Sequence, residues 1–191
     1  MNRCGAVFIA ALNGSALGIG SELALACDYR LMADGDHVIG QPEILLGFPP
    51  GGGGTQRLVR LIGIHQGLKR MLDGGGLDPD AAKEIGYVDD VVPADELIDR
   101  SLALADRLAQ RLKFTVAAVK RAAYIGGSLG LEDGLHVENA EFLSTLASPG
   151  AQAAMLDYMR RTEEMGDLPL YDRPTYEHTR EAGSFGRTTE A

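Results

Sequence analysis

The chain has 191 residues, 45% of them hydrophobic, and a formal net charge of −9. That composition suits a folded domain with a sizeable core and excludes a largely disordered chain. The acidic balance argues against a nucleic-acid or anionic-membrane surface, and no window of about 18 apolar residues predicts a membrane span.

The elements follow in order. Val7 to Leu12 is a continuous apolar run closed by Asn13-Gly14, and it predicts a buried strand. The start faintly imitates a signal peptide. That reading would discard part of this strand, so a cytoplasmic location is the expectation. Glu22 to Ala26 predicts a short helix with small residues. Tyr29 to Ala33 and His37 to Gly40 predict strands, with Asp34-Gly35-Asp36 as the turn between them. Thr55 to Met71 predicts one long helix with Thr55 as its N-cap. Asp78-Pro79 opens another helix, and Gly86 ends it. Tyr87 to Val92 predicts a strand stopped by Pro93. Helices are expected over about 94–112, 114–125, 130–147 and 150–164. From 166 to 191 the chain turns polar, and a loose or disordered tail is the expectation.

Strand, glycine turn and helix alternate, which suggests an α/β architecture with parallel, helix-covered strands. Two cysteines do not make a disulfide framework. Cys27 reads as a small buried hydrophobe, and Cys4 lies in a frayed terminus. Arg57, Arg60, Lys69, Arg70, Lys120 and Arg121 include candidates for a local phosphate site, although solvated helix faces are the simpler reading for most. His37 and His65 receive no role, and no histidine–cysteine spacing suggests a metal.

Two glutamates stand out. Glu22 follows Gly18-Ile19-Gly20-Ser21. Glu43 follows Gly40-Gln41-Pro42 and precedes Pro50-Gly51-Gly52-Gly53-Gly54. Both have apolar flanks, where a carboxylate seldom sits without a partner or a task. Two that converge on one pocket can divide acid and base roles. Each alone also reads blandly, as a first-turn helix glutamate and as a loop carboxylate. A glycine turn lets backbone approach a ligand, and a helix N-terminus adds positive potential.

These segments resemble the crotonase family, the enoyl-CoA hydratase/isomerase superfamily. The matching residues are Ala11 to Ala24, Ala26 to Arg30, Gly40 to Glu43 and Pro50 to Leu58. The likeness runs from Ala10 to about Pro93 and more weakly to about Arg161. Residues before 10 and after about 165 do not match. The resemblance implies a crotonase-like ββα spiral core with a C-terminal helical trimerisation region. The expected divisions are a partial core over 1–112, the helical region over 113–165 and the polar tail over 166–191.

It also implies hydration of a 2-trans-enoyl-CoA to a 3-hydroxyacyl-CoA. The electron sink of that reaction is the thioester carbonyl, whose developing charge is held by backbone N–H groups. By family position Glu22 activates water, Glu43 exchanges a proton with the α-carbon, and the Ile19 N–H holds the oxyanion. The Gly51 backbone orients the water. Gly18, Gly20, Pro50 and Gly52 line the substrate. No metal or other cofactor is implied, since coenzyme A is part of the substrate. The partners implied are an acyl-CoA thioester and a homotrimer or hexamer, and Arg160 and Arg161 are placed to meet a CoA phosphate.

Family subunits carry a strand-rich segment ahead of the point where this chain starts. The resemblance implies that this segment supplies the second oxyanion N–H and much of the CoA pocket. An N-terminally truncated core, weak as a catalyst alone, is therefore expected. The alternatives are an enoyl-CoA isomerase or other acyl-CoA enolate chemistry, or a non-catalytic assembly subunit. Isomerases of the family usually keep only the second carboxylate, so the pair favours hydration.

Overall fold

The computed structural model describes residues 1–186. It divides into two compact units. The first holds Met1 and Phe8–Ala103, and the second holds Asn2–Val7 and the residues from Leu104 onward.

The first unit is built on parallel strands. β1 (Ile9–Leu12), β3 (Tyr29–Ala33) and β5 (Asp90–Val92) form one sheet in the order β1-β3-β5. The register pairs Ile9 with Tyr29 and Leu31 with Asp90. A second, two-stranded parallel sheet pairs β2 (Ala16–Leu17) with β4 (Ile39–Gly40). Helix α1 (Ile19–Ala26) crosses from β2 to β3. Further on lie α2 (Gly54–Ile62), α3 (Ile64–Asp73) and α4 (Pro79–Glu84). Leu25, Met32, Ile39, Leu58, Met71, Ala82, Tyr87 and Val88 make one buried cluster among them. Cys27 is buried and Cys4 exposed, as the apolar run around Cys27 suggested.

Four sequence expectations need correction here. The helix expected over Thr55–Met71 is two helices, because Gly63 between them takes φ 84° and breaks the hydrogen-bond ladder. Thr55 does not cap it. The N-cap is Gly53, which makes no side-chain bond, and Thr55 lies inside α2. The strand expected from Tyr87 is ordered as β only over Asp90–Val92. Likewise, only Ile39–Gly40 of the His37–Gly40 run pairs as a strand. In both cases apolar character marks burial, which does not require a ladder partner. The α4 cap does match its reading: Asp78 Oδ1 accepts the Ala81 N–H at 2.8 Å, with Pro79 in the first turn.

The second unit is helical. The boundary between units falls within α5 (Leu97–Ala109), and α6 (Lys113–Tyr124), α7 (Leu131–Leu146), α8 (Pro149–Met165) and α9 (Arg173–Ala182) follow. Helix α9 corrects the loose-tail expectation. Asp172 caps it by accepting the Thr175 N–H, and Arg111 donates to the carbonyls of Arg180 and Gly183 at 2.6 and 2.9 Å. The Tyr158 and Phe185 rings pack edge-on with centroids 5.1 Å apart. Polar composition hid this order, because its partners lie 69 and 72 residues away. Residues 187–191 of that tail lie outside the described residues.

Candidate active site

The site is assembled at the start of α1. The Gly18 N–H donates to the Gly40 carbonyl at 3.0 Å, which ties the turn to β4. Gly18 takes φ 55°, a conformation that favours glycine. A methyl added there would meet Glu43 Oε1 at 3.1 Å, so the absence of a side chain is what lets that carboxylate reach the turn. Ile19 follows in the first helical turn, where an N–H has no intrahelical acceptor. Its side chain is 73% exposed.

Glu22 is 3% exposed, and its carboxylate is held by backbone amides. The Gly52 N–H reaches Oε1 and Oε2 at 2.8 and 2.9 Å, and the Gly54 N–H reaches Oε1 at 2.7 Å. A buried carboxylate is thus satisfied by the loop that opens α2. Room is tight. A side chain at Gly52 would collide with Glu22 Oε2, and one at Gly54 would fall 2.8 Å from the end of the Gln41 amide and 2.9 Å from Glu22 Oε1. The Arg57 guanidinium steadies this loop by donating to the Gly52 carbonyl at 2.9 Å.

Glu43, 7% exposed, opens a short 3-10 helix, Glu43–Leu46. The end of the Gln41 amide lies 3.3 and 3.2 Å from its two carboxylate oxygens. Gln41 therefore stands between the surroundings of the two glutamates.

The residues singled out in the sequence fall into two groups. Glu22, Glu43, Gly18, Ile19 and Gly52 are brought together, with the Ile19 side chain 2.9 Å from where a Gly52 methyl would stand. Gly20 and Gly51 are exposed and face open space, with nothing within 4 Å of an added methyl, and Pro50 is buried beside them. Gly52 packs on Glu22 rather than serving only as a pocket wall. Four participants were not singled out as site residues: Ser21, Gln41, Gly54 and Tyr87. Three of them sit inside the quoted motifs, and Tyr87 carried no local signal.

Several of the basic residues are paired within the protein, while Arg70 Nε is buried without a hydrogen-bond partner among the described residues. Arg160 pairs with Asp157 at 2.5 Å and Glu164 at 2.6 Å, and Arg161 pairs with Asp157 at 2.9 Å. Both pair within their own helix, and the Arg160 side chain remains 55% exposed. Arg121 binds Glu141 through two bonds of 2.6 Å. Lys120 is buried and donates to the Ala6 carbonyl, so it is not a solvated helix face. Among the described residues no group of three or more His, Cys, Asp or Glu is placed to hold a metal. No helix among them is long and apolar enough to cross a membrane.

The chain is similar to several known proteins. A relative described as a probable mitochondrial enoyl-CoA hydratase, from Dictyostelium discoideum, is 39% identical over 153 residues, covering 80% of this chain and 55% of its own length. A short-chain-enoyl-CoA hydratase of Clostridioides difficile is 41% identical over 136 residues, covering 71% of this chain and 86% of its own. A solved enoyl-CoA hydratase of Geobacillus kaustophilus HTA426 superposes with a TM-score of 0.79 at 36% identity, over 84% of this chain and 61% of that one. The crotonase fold is therefore present. The chain spans about half the length of several curated relatives it matches, 55% of one and 54% of another. The enoyl-CoA hydratase/isomerase family model matches residues 1–165, beginning upstream of the Ala10 start read from the motifs. With two buried glutamates meeting at its glycine turns and a family match over most of its length, this chain belongs to the enoyl-CoA hydratase/isomerase family.

Proposed function

We propose that this protein catalyses reversible hydration of a 2-trans-enoyl-CoA to a 3-hydroxyacyl-CoA. One observation carries the reading: two buried carboxylates lie around one turn, Glu43 reaching Gly18 and Glu22 standing on the helix that follows, which begins with an open N–H. Glu22 takes a proton from water as the water oxygen bonds the β-carbon. The displaced electron pair moves to the thioester oxygen, which the Ile19 N–H holds. Glu43 then supplies the proton that closes the α-carbon bond. In the reverse direction the two exchange roles, and solvent resets their protons. Three contacts from Gly52 and Gly54 fix the Glu22 oxygens and leave one lone pair, on Oε2, for water. The Gly51 backbone orients that water, while Gly18, Gly20, Pro50 and Gly52 border the acyl group. No further cofactor enters this scheme.

The assay is loss of the enoyl thioester absorbance on adding a short 2-trans-enoyl-CoA. In Glu22→Gln and Glu43→Gln, turnover falls by roughly 10²–10⁴-fold each, with binding changed far less. Near-normal turnover in either variant would overturn the assignment. Offering a 3-enoyl-CoA in the same assay tests isomerisation, a reaction that needs only the second carboxylate. We propose further that the protein works as a homotrimer or hexamer. Leu131, Phe142, Leu156 and Met159 of α7 and α8 are exposed in the single chain, as a buried interface would require. Sedimentation of the protein gives the number of subunits.

A further inference from the structure

We propose that Tyr87 is a positioning residue for Glu43, acting through a buried hydrogen-bond relay of Ser21 and Gln41. This rests on the hydratase reading above and adds a residue to it.

The relay spans distant parts of the first unit. Ser21 lies on α1, Gln41 just after β4, and Tyr87 after α4. All three are essentially closed to solvent. Ser21 Oγ and Tyr87 Oη are 2.6 Å apart. One end of the Gln41 amide lies 3.1 Å from Ser21 Oγ and 3.4 Å from Tyr87 Oη. Its other end faces the two Glu43 oxygens at 3.3 and 3.2 Å.

Chemistry sets the direction of the relay. Carboxylate oxygens accept, so the Gln41 NH2 belongs at Glu43 and its carbonyl at Ser21. The Ser21 hydroxyl then donates its proton to that carbonyl. Its oxygen must accept from something, and the donor in place is the Tyr87 phenol. The donors therefore run in one sense, from Tyr87 through Ser21 and Gln41 to Glu43. Without the phenol, Ser21 loses the bond that orients it, and Gln41 can turn over, presenting an oxygen to Glu43.

Tyr87 is fixed and stays protonated. Burial pushes its phenol above the ordinary value of 10.0, against the opposing effect of its Ser21 bond. Its main-chain carbonyl accepts the Arg30 Nε–H at 3.0 Å, and Arg30 is in turn anchored by Cys27 O and Asp89. The charged groups around the relay are Glu22 on α1, Arg30 on β3 with Asp89 beside it, and Glu43 itself. None of them touches the Tyr87–Ser21 bond. The phenol is absent from the proton transfers of the reaction, so its part is orientation.

Tyr87→Phe removes one oxygen and keeps the ring in the core. In the full chain, kcat for hydration of a four-carbon 2-trans-enoyl-CoA falls about ten-fold while KM stays within about two-fold. Exchange of the α-hydrogen of the saturated four-carbon acyl-CoA with D2O, which reads Glu43 and not water addition, falls by the same factor. In a Glu43→Gln background Tyr87→Phe produces no further loss. Should Tyr87→Phe not fold, Ser21→Ala breaks the same link from the other side, and Ser21→Thr restores it. Unchanged exchange, or a ten-fold loss that persists on top of Glu43→Gln, would overturn the proposal. If the wild-type protein neither hydrates nor exchanges, the hydratase reading fails instead. The relay is then read by NMR: Tyr87→Phe shifts the 15N-labelled Gln41 side-chain amide, and an unmoved resonance rejects it.

Discussion

The two units use buried space differently. In the first, Ser21, Glu22, Arg30, Gln41 and Glu43 are all buried, and each lies within hydrogen-bond distance of a partner in the same unit. In the second, α7 and α8 bury no residue at all; the α8 charges pair along their own helix at spacings of three and four, and Glu141 of α7 pairs with Arg121 of α6. Pairing of these buried groups favours one arrangement, because each orphaned group costs about 1–3 kcal/mol; elsewhere in the unit Arg70 Nε and Ser101 Oγ are buried without a hydrogen-bond partner among the described residues. Exposed helix pairs contribute roughly 0.3–0.5 kcal/mol each and specify little. The first unit is therefore organised to hold a geometry. Both units present large apolar side chains outward, such as Ile19 and Leu45 in the first and Leu131 and Leu156 in the second.

The sharpest break of this contrast is chemical. Glu22→Gln with its carbonyl at the Oε1 position still accepts from both the Gly52 and Gly54 N–H groups and turns a donor toward Gly52 in place of Oε2. Turnover falls by at least about 10²-fold while the melting midpoint drops by the equivalent of only about 1–2 kcal/mol. Steady-state kinetics beside a thermal melt separates the two effects.

Next comes a pair of methyl groups. Gly54→Ala drives a methyl into Glu22 and Gln41, at 2.9 and 2.8 Å, and costs about 1–3 kcal/mol together with most of the activity. Gly51→Ala, three positions earlier, meets nothing within 4 Å and leaves the melt unchanged. Equal destabilisation by both would show that the loop, and not the Glu22 contact, sets the cost.

A smaller effect is expected in the second unit. Leu156 on α8 is 68% exposed, so Leu156→Gln changes the stability of the separate chain by less than about 0.5 kcal/mol. The same substitution lowers the subunit number seen by sedimentation. A large loss of stability at a concentration where only monomer is present would contradict the exposed position.

The smallest effect is electrostatic. Arg160 above all, with Gly186 N–H and Arg161, holds the Asp157 carboxyl down from 3.8 to about 2. A depressed carboxylate contributes stability that is complete above the unfolded value and is lost as pH falls through the folded one. The melting midpoint of the wild-type protein therefore approaches that of Asp157→Asn as pH drops from about 4 to about 2. A constant gap across that range would remove Asp157 from the account.

Local chemistry determined much of this protein before any contact was known. Gly18, Pro42 and the Gly51–Gly54 run announced turns around Glu22 and Glu43, because positive φ, fixed φ and close approach belong to those residue types. The Asp78-Pro79 cap was legible for the same reason: a capping side chain reaches only three residues ahead. What only the tertiary structure decided involves long separations. The Gly52 and Gly54 N–H groups reach Glu22 across 30 and 32 residues, and Tyr87 reaches Ser21 across 66. An apolar flank predicts that such groups are buried, but not which donor each one meets. The break at Gly63 had the reverse cause: a helical apolar stripe continued through it, and the backbone conformation of one glycine overrode the pattern. The order in α9 depended on Arg111 and Asp157, whose bonds into 180–186 no local pattern encodes.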